Sequence, residues 1–223
     1  MRESMKILVI SDVHGKNERL NQLSEIIPTV DVVAICGDLS ARSKRPAAIT
    51  FINEIEKIAP AIVAVHGNWD REELHHLLVR KGISVHGKGI RIGGVGFFGV
   101  GGARRGLIPM PSDYSDDEMR ALLNQGYSDV KDAKCRVLVS HMPPYKILDR
   151  TFIGLRGGSR IVTSFLDANR VHLCLCGHVH EAWGSYSSRG FLAVNPGSLR
   201  SGRYAIVDIA NDITVSFGKL DSA

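Results

Sequence analysis

The first third of the chain alternates short apolar runs with helical repeats, and this alternation constrains the fold more than any other feature. Three apolar runs predict strands, at residues 6–10, 31–36 and 61–65. The segments that follow them carry apolar side chains at helical spacing and predict helices over 17–27, 46–59 and 71–82. Strands separated by single helices form βαβ units, so we expect these strands to be parallel and buried.

The rest of the chain predicts a second set of strands with two more helices. Residues 89–102 read as two short strands joined by glycines, which is typical of a hairpin. Further strands are predicted at 135–140 and 171–176, helices at 115–127 and 159–169, and several short strands between 182 and 218. No repeat or linker divides the 223 residues. We therefore expect one α/β domain over residues 1–223, with two packed sheets and helices outside.

Composition excludes some classes of protein. No apolar run approaches the ~18 residues that a membrane span needs, and the apolar stretch near the start breaks at Ser11. We therefore expect a cytoplasmic protein with no membrane partner. The net charge of +5 mildly favours an anionic partner but is not by itself a nucleic-acid signature. The cysteines form no Cys-x-x-Cys pair and lie in or beside apolar runs, which favours buried hydrophobic residues at 36, 135, 174 and 176.

Side chains of the kinds that bind metals follow five of the predicted strands. They occur in the stretches DVHG, GDLS, GNWD, SHMPP and GHVH, each directly after an apolar run. The candidate ligands are Asp12, His14, Asp38, Asn68, His141, His178 and His180. In open α/β sheets, ligand sites gather outside the carboxyl ends of parallel strands. The sequence therefore predicts one shared metal site.

The number of candidate ligands indicates two ions. One ion takes about four to six ligands, whereas this set has seven members. Two ions sharing one carboxylate would use all of them, and Asp38 is the natural bridge. Nitrogen and oxygen ligands without thiolate favour manganese, with iron, zinc, nickel or cobalt as alternatives. Two such ions about 3.5–4 Å apart are typical of enzymes that hydrolyse phosphate esters.

The five motifs, in this order, resemble the calcineurin-like metallophosphoesterase superfamily. The stretch from Ser140 through the NPGSL sequence, which ends at Leu199, is similar to its prokaryotic Icc-related branch. The resemblance implies a four-layer α-β-β-α sandwich and attack on phosphorus by a hydroxide held at two metals. It places Asp12, His14, Asp38 and His180 on the first metal, and Asp38, Asn68, His141 and His178 on the second.

One position departs from the family pattern. The usual motif is Gly-Asn-His followed by an acid, and its histidine protonates the leaving group, whereas this chain has Trp69 there. Three consequences remain open. Another histidine acts instead (His66, His86 and His172 are unassigned), the leaving group needs little protonation, or the protein binds without turnover. Trp69 would either stack on a substrate ring or simply cap the cleft.

Several other residues are candidates for the site. Asp70 is expected to act beside Asp38, Asn68 and His141 in catalysis by orienting a ligand or its loop, with a helix N-cap as the alternative. Arginines clamp phosphate oxygens well, so substrate contacts are expected from Arg104, Arg105 or Arg156. Asn195 and Ser198 lie on a turn that the resemblance places near the metals, although a purely structural turn is slightly favoured.

These observations favour a metal-dependent phosphoesterase, specifically a phosphodiesterase. Its partner would be a small phosphate ester, with cyclic nucleotides as the first candidates by analogy. A protein-binding scaffold on the same fold is the main alternative, because Trp69 replaces the usual acid. A nuclease is less favoured, since few residues follow Leu199 to form a DNA-capping domain. A stable nucleic-acid complex is not expected, and the sequence predicts no oligomeric state.

Overall fold

The computed structural model describes residues 4–40, 45–106, 109–188 and 190–221. Within these ranges the strands are β1 Met5–Ile10, β2 Val32–Cys36, β3 Ile62–Val65, β4 Gly89–Ile92, β5 Val95–Val100, β6 Ala103–Arg104, β7 Asp113–Tyr114, β8 Cys135–Ser140, β9 Leu173–Leu175, β10 Gly184–Ser188, β11 Phe191–Asn195, β12 Arg203–Ile209 and β13 Ile213–Lys219. The helices are α1 Glu18–Leu23, α2 Arg45–Ile55, α3 Glu72–Arg80, α4 Asp116–Val130 and α5 Arg160–Ala168.

The first sheet has the strand order β13-β12-β1-β2-β3. Strands β1, β2 and β3 are parallel, with Val9 opposite Ala34 and Ile35 opposite Ala64. Helices α1 and α2 connect them, so the predicted βαβ units are confirmed. The antiparallel pair β12 and β13 extends the sheet on the other side of β1.

The second sheet has the order β10-β11-β9-β8-β5-β4. Its four central strands are parallel, and both edge strands pair antiparallel. The predicted hairpin over 89–102 is confirmed as β4 and β5. The glycine and proline residues of segment 101–114 are typical of a loop, but β6 and β7 form a two-residue parallel pair within it. Such short pairing leaves no hydrophobic pattern in the sequence, because it rests on backbone hydrogen bonds alone.

The apolar side chains form three cores, which define four layers. On β1, Ile7 and Val9 face the core between the two sheets, where Phe97 and Val139 of the second sheet also lie. The neighbouring Leu8 and Ile10 face the helices α1 to α3, consistent with the two-residue period of a strand. A third core packs α4 and α5 on the second sheet. The α-β-β-α sandwich implied by the resemblance is therefore confirmed.

The described residues contain no helix long and apolar enough to cross a membrane. Three of the four cysteines are fully buried, and Cys135 is partly buried. All four are free thiols, and the expected burial is confirmed for the cysteines at 36, 174 and 176. Since the central strands of both sheets are buried on both faces, polar side chains gather where those strands end.

Candidate metal centre

Five loops meet at the carboxyl ends of β1, β2, β3, β8 and β9. Backbone hydrogen bonds join the loops after β1 and β2 and those after β8 and β9, and the Trp69 N–H joins the loop after β3 to the Asp38 carboxylate. The N–H of Asp12 donates to the Gly37 carbonyl at 3.0 Å, and the N–H of His14 donates to the Asp38 carbonyl at 3.0 Å. The N–H of Gly177 donates to the His141 carbonyl, also at 3.0 Å. The loops therefore form one connected frame, and the seven candidate ligands lie on it.

Asp12, His14 and His180 form a first group of facing ligand atoms. The His180 Nε2 atom lies 3.1 Å from Asp12 Oδ1 and 3.3 Å from His14 Nε2. The His14 Nε2 atom lies 3.8 Å from the same Asp12 oxygen. Three donor atoms thus surround one point, within the spacing that a single ion spans.

Asn68, His141 and His178 form a second group. The Asn68 Oδ1 atom lies 2.8 Å from His141 Nε2 and 3.0 Å from His178 Nδ1, and the two ring nitrogens are 3.3 Å apart. Asn68 is buried and His141 is fully buried. Two of the three side chains in this group are therefore shielded from solvent.

Two carboxylates connect the groups. Asp38 accepts the Trp69 N–H at Oδ1, at 2.9 Å, and directs Oδ2 toward His141 Nε2 at 3.6 Å. Asp12 shares a compact ligand set with Asp38 and His141 as well as with the first group. The sequence indicates Asp38 alone as the link, whereas in the structure Asp12 also has neighbours in both groups.

The hydrogen bonds of the rings show that this arrangement suits a cation. His141 donates from Nδ1 to the Cys36 carbonyl at 2.7 Å, and His14 directs Nδ1 to the Ser40 carbonyl at 3.3 Å. With Nδ1 protonated, each neutral ring presents a bare lone pair at Nε2. The His141 lone pair then faces the acceptor oxygen of Asn68. Two acceptors in contact repel each other unless a positive charge lies between them.

Burial keeps one histidine of each group in its neutral form. Burial lowers the pKa of His14, and it lowers the pKa of His178 in the second group to about 3. Both rings are therefore neutral at neutral pH and available as ligands. The hydrogen bond to Asp12 raises the pKa of His180. Burial raises the pKa of Asp12, but the hydrogen bond from His180 and the influence of the nearby imidazoles together outweigh it and lower that pKa overall.

Asp38 is costly to ionise in its buried position. Burial raises its pKa well above the usual value, and repulsion from Asp70 and Asp12 adds to the effect. Three carboxylates in one buried region are stable as anions only beside compensating positive charge. Divalent cations at the two groups would supply that charge.

The backbone at several candidate ligands is strained, as is common at functional sites. Four candidate ligands, Asp12, His14, Asp38 and His178, have φ values of 55°, 47°, 52° and 69°. Side chains rarely adopt this left-handed region, and such strain concentrates at functional sites. The chain also approaches closely at Gly177, where a Cβ atom would collide with the Ser11 hydroxyl and lie 2.8 Å from Asp12 Oδ2.

Asp70 connects two ligand loops. Its carboxylate accepts the N–H groups of Ser40 at 2.7 Å, Leu39 at 3.1 Å and Gly67 at 2.8 Å. Helix α3 has Arg71 at its N-cap, so Asp70 does not cap it. Asp70 is fully buried and fixes the loops that carry Asp38 and Asn68.

The turn after β11 supports the same frame. Asn195 donates from Nδ2 to the Val179 carbonyl at 2.9 Å, between His178 and His180. Ser198 donates from Oγ to the Asp12 carbonyl at 2.8 Å. These two buried side chains hold the ligand loops through their backbone.

The arginines expected at the substrate lie in ion pairs. Arg104 Nε contacts Asp116 Oδ1 at 2.6 Å, and Arg105 lies 3.7 Å from Glu118, both in the first turn of α4. Arg156 contacts the buried Asp149 at 2.6 Å. The structure thus brings none of their charged groups into a described contact with the seven ligands, and Trp69 is half-buried beside Asn68.

None of the unassigned histidines is hydrogen-bonded to the ligand groups in the described part of the chain. His66 bonds to the Tyr114 hydroxyl at 2.9 Å, His86 accepts the Gly101 N–H at 2.9 Å, and His172 accepts the Arg136 N–H at 3.0 Å. The rings of His66, His75, His86 and Tyr114 pack together with centroids 4.6 to 5.9 Å apart. Sequence reasoning missed this imidazole cluster, because its members are far apart in the chain.

The imidazole cluster generates a prediction about acid stability. Burial lowers the pKa of His66 well below its usual value, and burial lowers that of His86 to about 3. Below the unfolded-state value of about 6.5, the unfolded chain binds protons that the folded protein does not, so the free energy of unfolding falls as the pH falls. We expect His86→Gln to reduce this slope by up to about 1.4 kcal/mol per pH unit.

The measurement is denaturant unfolding of metal-free protein at several pH values from neutral to about 5. Comparison of the variant with the wild type isolates the contribution of His86 from that of the other buried histidines. An identical slope in the two proteins would show that His86 takes up a proton as readily in the folded state as in the unfolded one.

Comparison with known proteins identifies the family of this chain. The sequence profile of the calcineurin-like phosphoesterase family matches residues 5–182, which include all seven candidate ligands. The protein MJ1162 of Methanocaldococcus jannaschii is 29% identical over 203 residues, covering 88% of this chain and 89% of its own.

Two solved structures share the fold. The protein TT1561 of Thermus thermophilus has a TM-score of 0.76 at 21% identity, covering 97% of this chain and 99% of that one. A dimetal phosphatase from Danio rerio has a TM-score of 0.71 at 14% identity, covering 96% and 95%. At such identities the likeness shows the fold alone. Since the family profile spans most of the chain, the protein belongs to the calcineurin-like phosphoesterase family.

Proposed function

We propose that this protein is a dimetal phosphodiesterase that hydrolyses a small phosphate ester. The observation that carries the proposal is the pair of facing ligand groups, in which Asn68 Oδ1 and His141 Nε2 lie 2.8 Å apart. The Asp38 carboxylate lies at the junction and is costly to ionise without a cation. The donor set contains nitrogen and oxygen only, which fits manganese first, with iron, zinc, nickel or cobalt as alternatives.

The proposed assignment divides the ligands between two ions. The first would be held by Asp12, His14, Asp38 and His180, and the second by Asp38, Asn68, His141 and His178. Observed proximity within each group supports this division. When bound, the two ions supply positive charge for phosphate oxygens and a nucleophile at neutral pH.

The chain itself contributes orientation. The Cys36 and Ser40 carbonyls fix the ring tautomers of His141 and His14, so that both Nε2 atoms present lone pairs to the site. Asp70 is proposed as a positioning residue, because it ties the Asp38 loop to the Asn68 loop through three backbone hydrogen bonds. Loss of these contacts would move both ligands together.

The described part of the chain offers no evident side chain to protonate the leaving group. Trp69 has no acidic proton at the position of the family's histidine, and His66, His86 and His172 have partners elsewhere. We therefore propose that its substrate is an ester whose alcohol leaves without an acid. Trp69, half-buried beside Asn68, is the proposed contact for a ring or base of that substrate. Cyclic nucleotides, the candidates by analogy with the Icc-related branch, would then be cleaved slowly, because their ribose alcohol needs a proton to leave.

A binding protein without turnover is the second candidate. The replacement of the acid by Trp69 favours it, whereas the full set of seven ligands favours an enzyme. Turnover by the metal-loaded protein distinguishes the two.

We expect metal-stripped protein reloaded with manganese to cleave bis-p-nitrophenyl phosphate faster than p-nitrophenyl phosphate. The activated aryl group leaves without protonation, so the missing acid matters little. Asp38→Ala should lower the diester rate by at least about 10²-fold, since it removes the shared carboxylate. The surface variant Asp167→Ala, at an exposed position of α5, is the matched control and should retain the rate. No cleavage of either ester by protein with two bound ions would favour the binding protein.

Trp69→His should restore an acid at the family position. For an alkyl diester, whose alcohol needs a proton to leave, we expect the rate to rise at least tenfold, toward the roughly 10²–10⁴-fold contribution of a well-placed acid. The activated aryl diester should gain much less. Equal changes for both esters would show that position 69 acts by binding the substrate rather than by proton transfer.

A further inference from the structure

The segment between β8 and α5 presents three large apolar side chains to solvent. We call residues 149–157 the apolar hairpin. At its tip Phe152 is 90% exposed, Ile153 80% and Leu155 64%. No other large hydrophobic side chain among the described residues is as exposed as these three. Contiguous apolar exposure of this kind marks a surface that meets a partner.

The apolar hairpin has an ordered base that holds this tip outward. Arg150 and Arg156 form an antiparallel bridge, and the N–H of Thr151 donates to the Leu155 carbonyl at 2.9 Å. The buried Asp149 accepts from the Arg156 guanidinium at 2.6 Å and from the Lys146 N–H at 2.8 Å. None of the three tip side chains belongs to the apolar cores that the described residues form.

The same base lies against the loop that carries His178 and His180. A Cβ atom on Gly157 would lie 2.7 Å from Val179 Cγ2 and 3.4 Å from the His178 ring. The N–H of Phe152 donates to Glu181 at 2.8 Å. Whatever contacts the tip therefore lies close to the metal centre.

Cations surround the tip. Lys146, Arg150, Arg156 and Arg160 are exposed on or beside the apolar hairpin. The acidic side chains in contact with it are Asp149, which is buried and paired with Arg156, and Glu181, which accepts a backbone N–H. The local charge is thus positive, in a chain whose net charge is +5.

From this combination we propose that the apolar hairpin docks the protein onto an anionic lipid surface. Apolar side chains at a protruding tip enter the boundary of the acyl chains, while flanking arginines and lysines bind headgroup phosphates. A second copy of the chain is less favoured, because three side chains on a narrow tip cover far less than the roughly 800 Å² per partner of a stable interface. The charge also matches a phospholipid surface and repels an identical copy.

This proposal revises the expectation that membranes are not a partner. That expectation rested on the lack of a membrane-spanning run, which surface docking does not require. The proposal is independent of the hydrolytic reaction. It would place the metal centre beside the headgroups of the bound lipid layer.

The test is co-sedimentation of the full chain with vesicles of phosphatidylcholine alone and of phosphatidylcholine mixed with phosphatidylglycerol. We expect binding to the mixed vesicles only, weakening as salt is added. Phe152→Ser with Ile153→Ser and Leu155→Ser should weaken binding at least tenfold, as should Lys146→Gln with Arg150→Gln. The control Ile49→Ser with Val79→Ser removes two apolar side chains, 40% and 51% exposed, from α2 and α3, and should bind as the wild type does.

Thermal unfolding of each variant shows whether it is folded, since the exposed tip side chains lie outside the cores. Absence of binding to the anionic vesicles, or equal binding by the tip variant, would overturn the proposal. A wild-type dimer that becomes monomeric in the tip variant, without vesicle binding, would assign the tip to a second copy instead.

Discussion

The repulsion among buried acceptors at the strand ends is the constraint on which the site depends. Asp12, Asp38 and Asp70 lie within one buried region, and the imidazole lone pairs of His14 and His141 point into it. Without a cation, burial and mutual repulsion hold the pKa of Asp38 far above its usual value. The polypeptide alone does not balance these charges, which is the electrostatic argument for the proposed metal centre.

Hydrophobic burial in the fold offsets the free-energy cost of the buried charges and strained backbone at the site. The five ligand loops follow strands of two sheets, and the inner faces of these sheets bury side chains such as Phe97 and Val139 completely. This core fixes the strand ends, and the loops then adopt left-handed backbone at Asp12, His14, Asp38 and His178. Strain of order 1–3 kcal/mol per residue persists only where surrounding structure determines the conformation. Buried hydrogen bonds of Asp70, Asn195 and Ser198 hold the loops in this strained conformation.

Much of this arrangement could be predicted from the sequence, because it follows from local patterns. Alternating strands and helices predicted the parallel sheet, and polar residues after apolar runs predicted that the seven ligands converge. The partners of those ligands could not be predicted, since the Cys36 and Ser40 groups that orient His141 and His14 are backbone carbonyls. A backbone carbonyl leaves no side-chain signal in the sequence.

The surface was the least predictable part. Arg104 and Arg105 were suitable phosphate ligands by residue type, but the first turn of α4 lies within their reach and pairs with them. The imidazole cluster and the apolar hairpin also depend on which loops meet in three dimensions. Phe152, Ile153 and Leu155 read in the sequence as an ordinary loop, and only their exposure distinguishes them.

The central claim is that the two ligand groups hold two adjacent ions. The most direct test is titration of metal-stripped protein with manganese, followed by electron paramagnetic resonance of the loaded protein. The account predicts two ions per chain with the spectrum of an exchange-coupled pair. It also predicts loss of one ion and of the coupling in Asn68→Ala, but not in the exposed control Asn21→Ala. A single uncoupled ion in the wild type, or a coupled pair that survives Asn68→Ala, would contradict it.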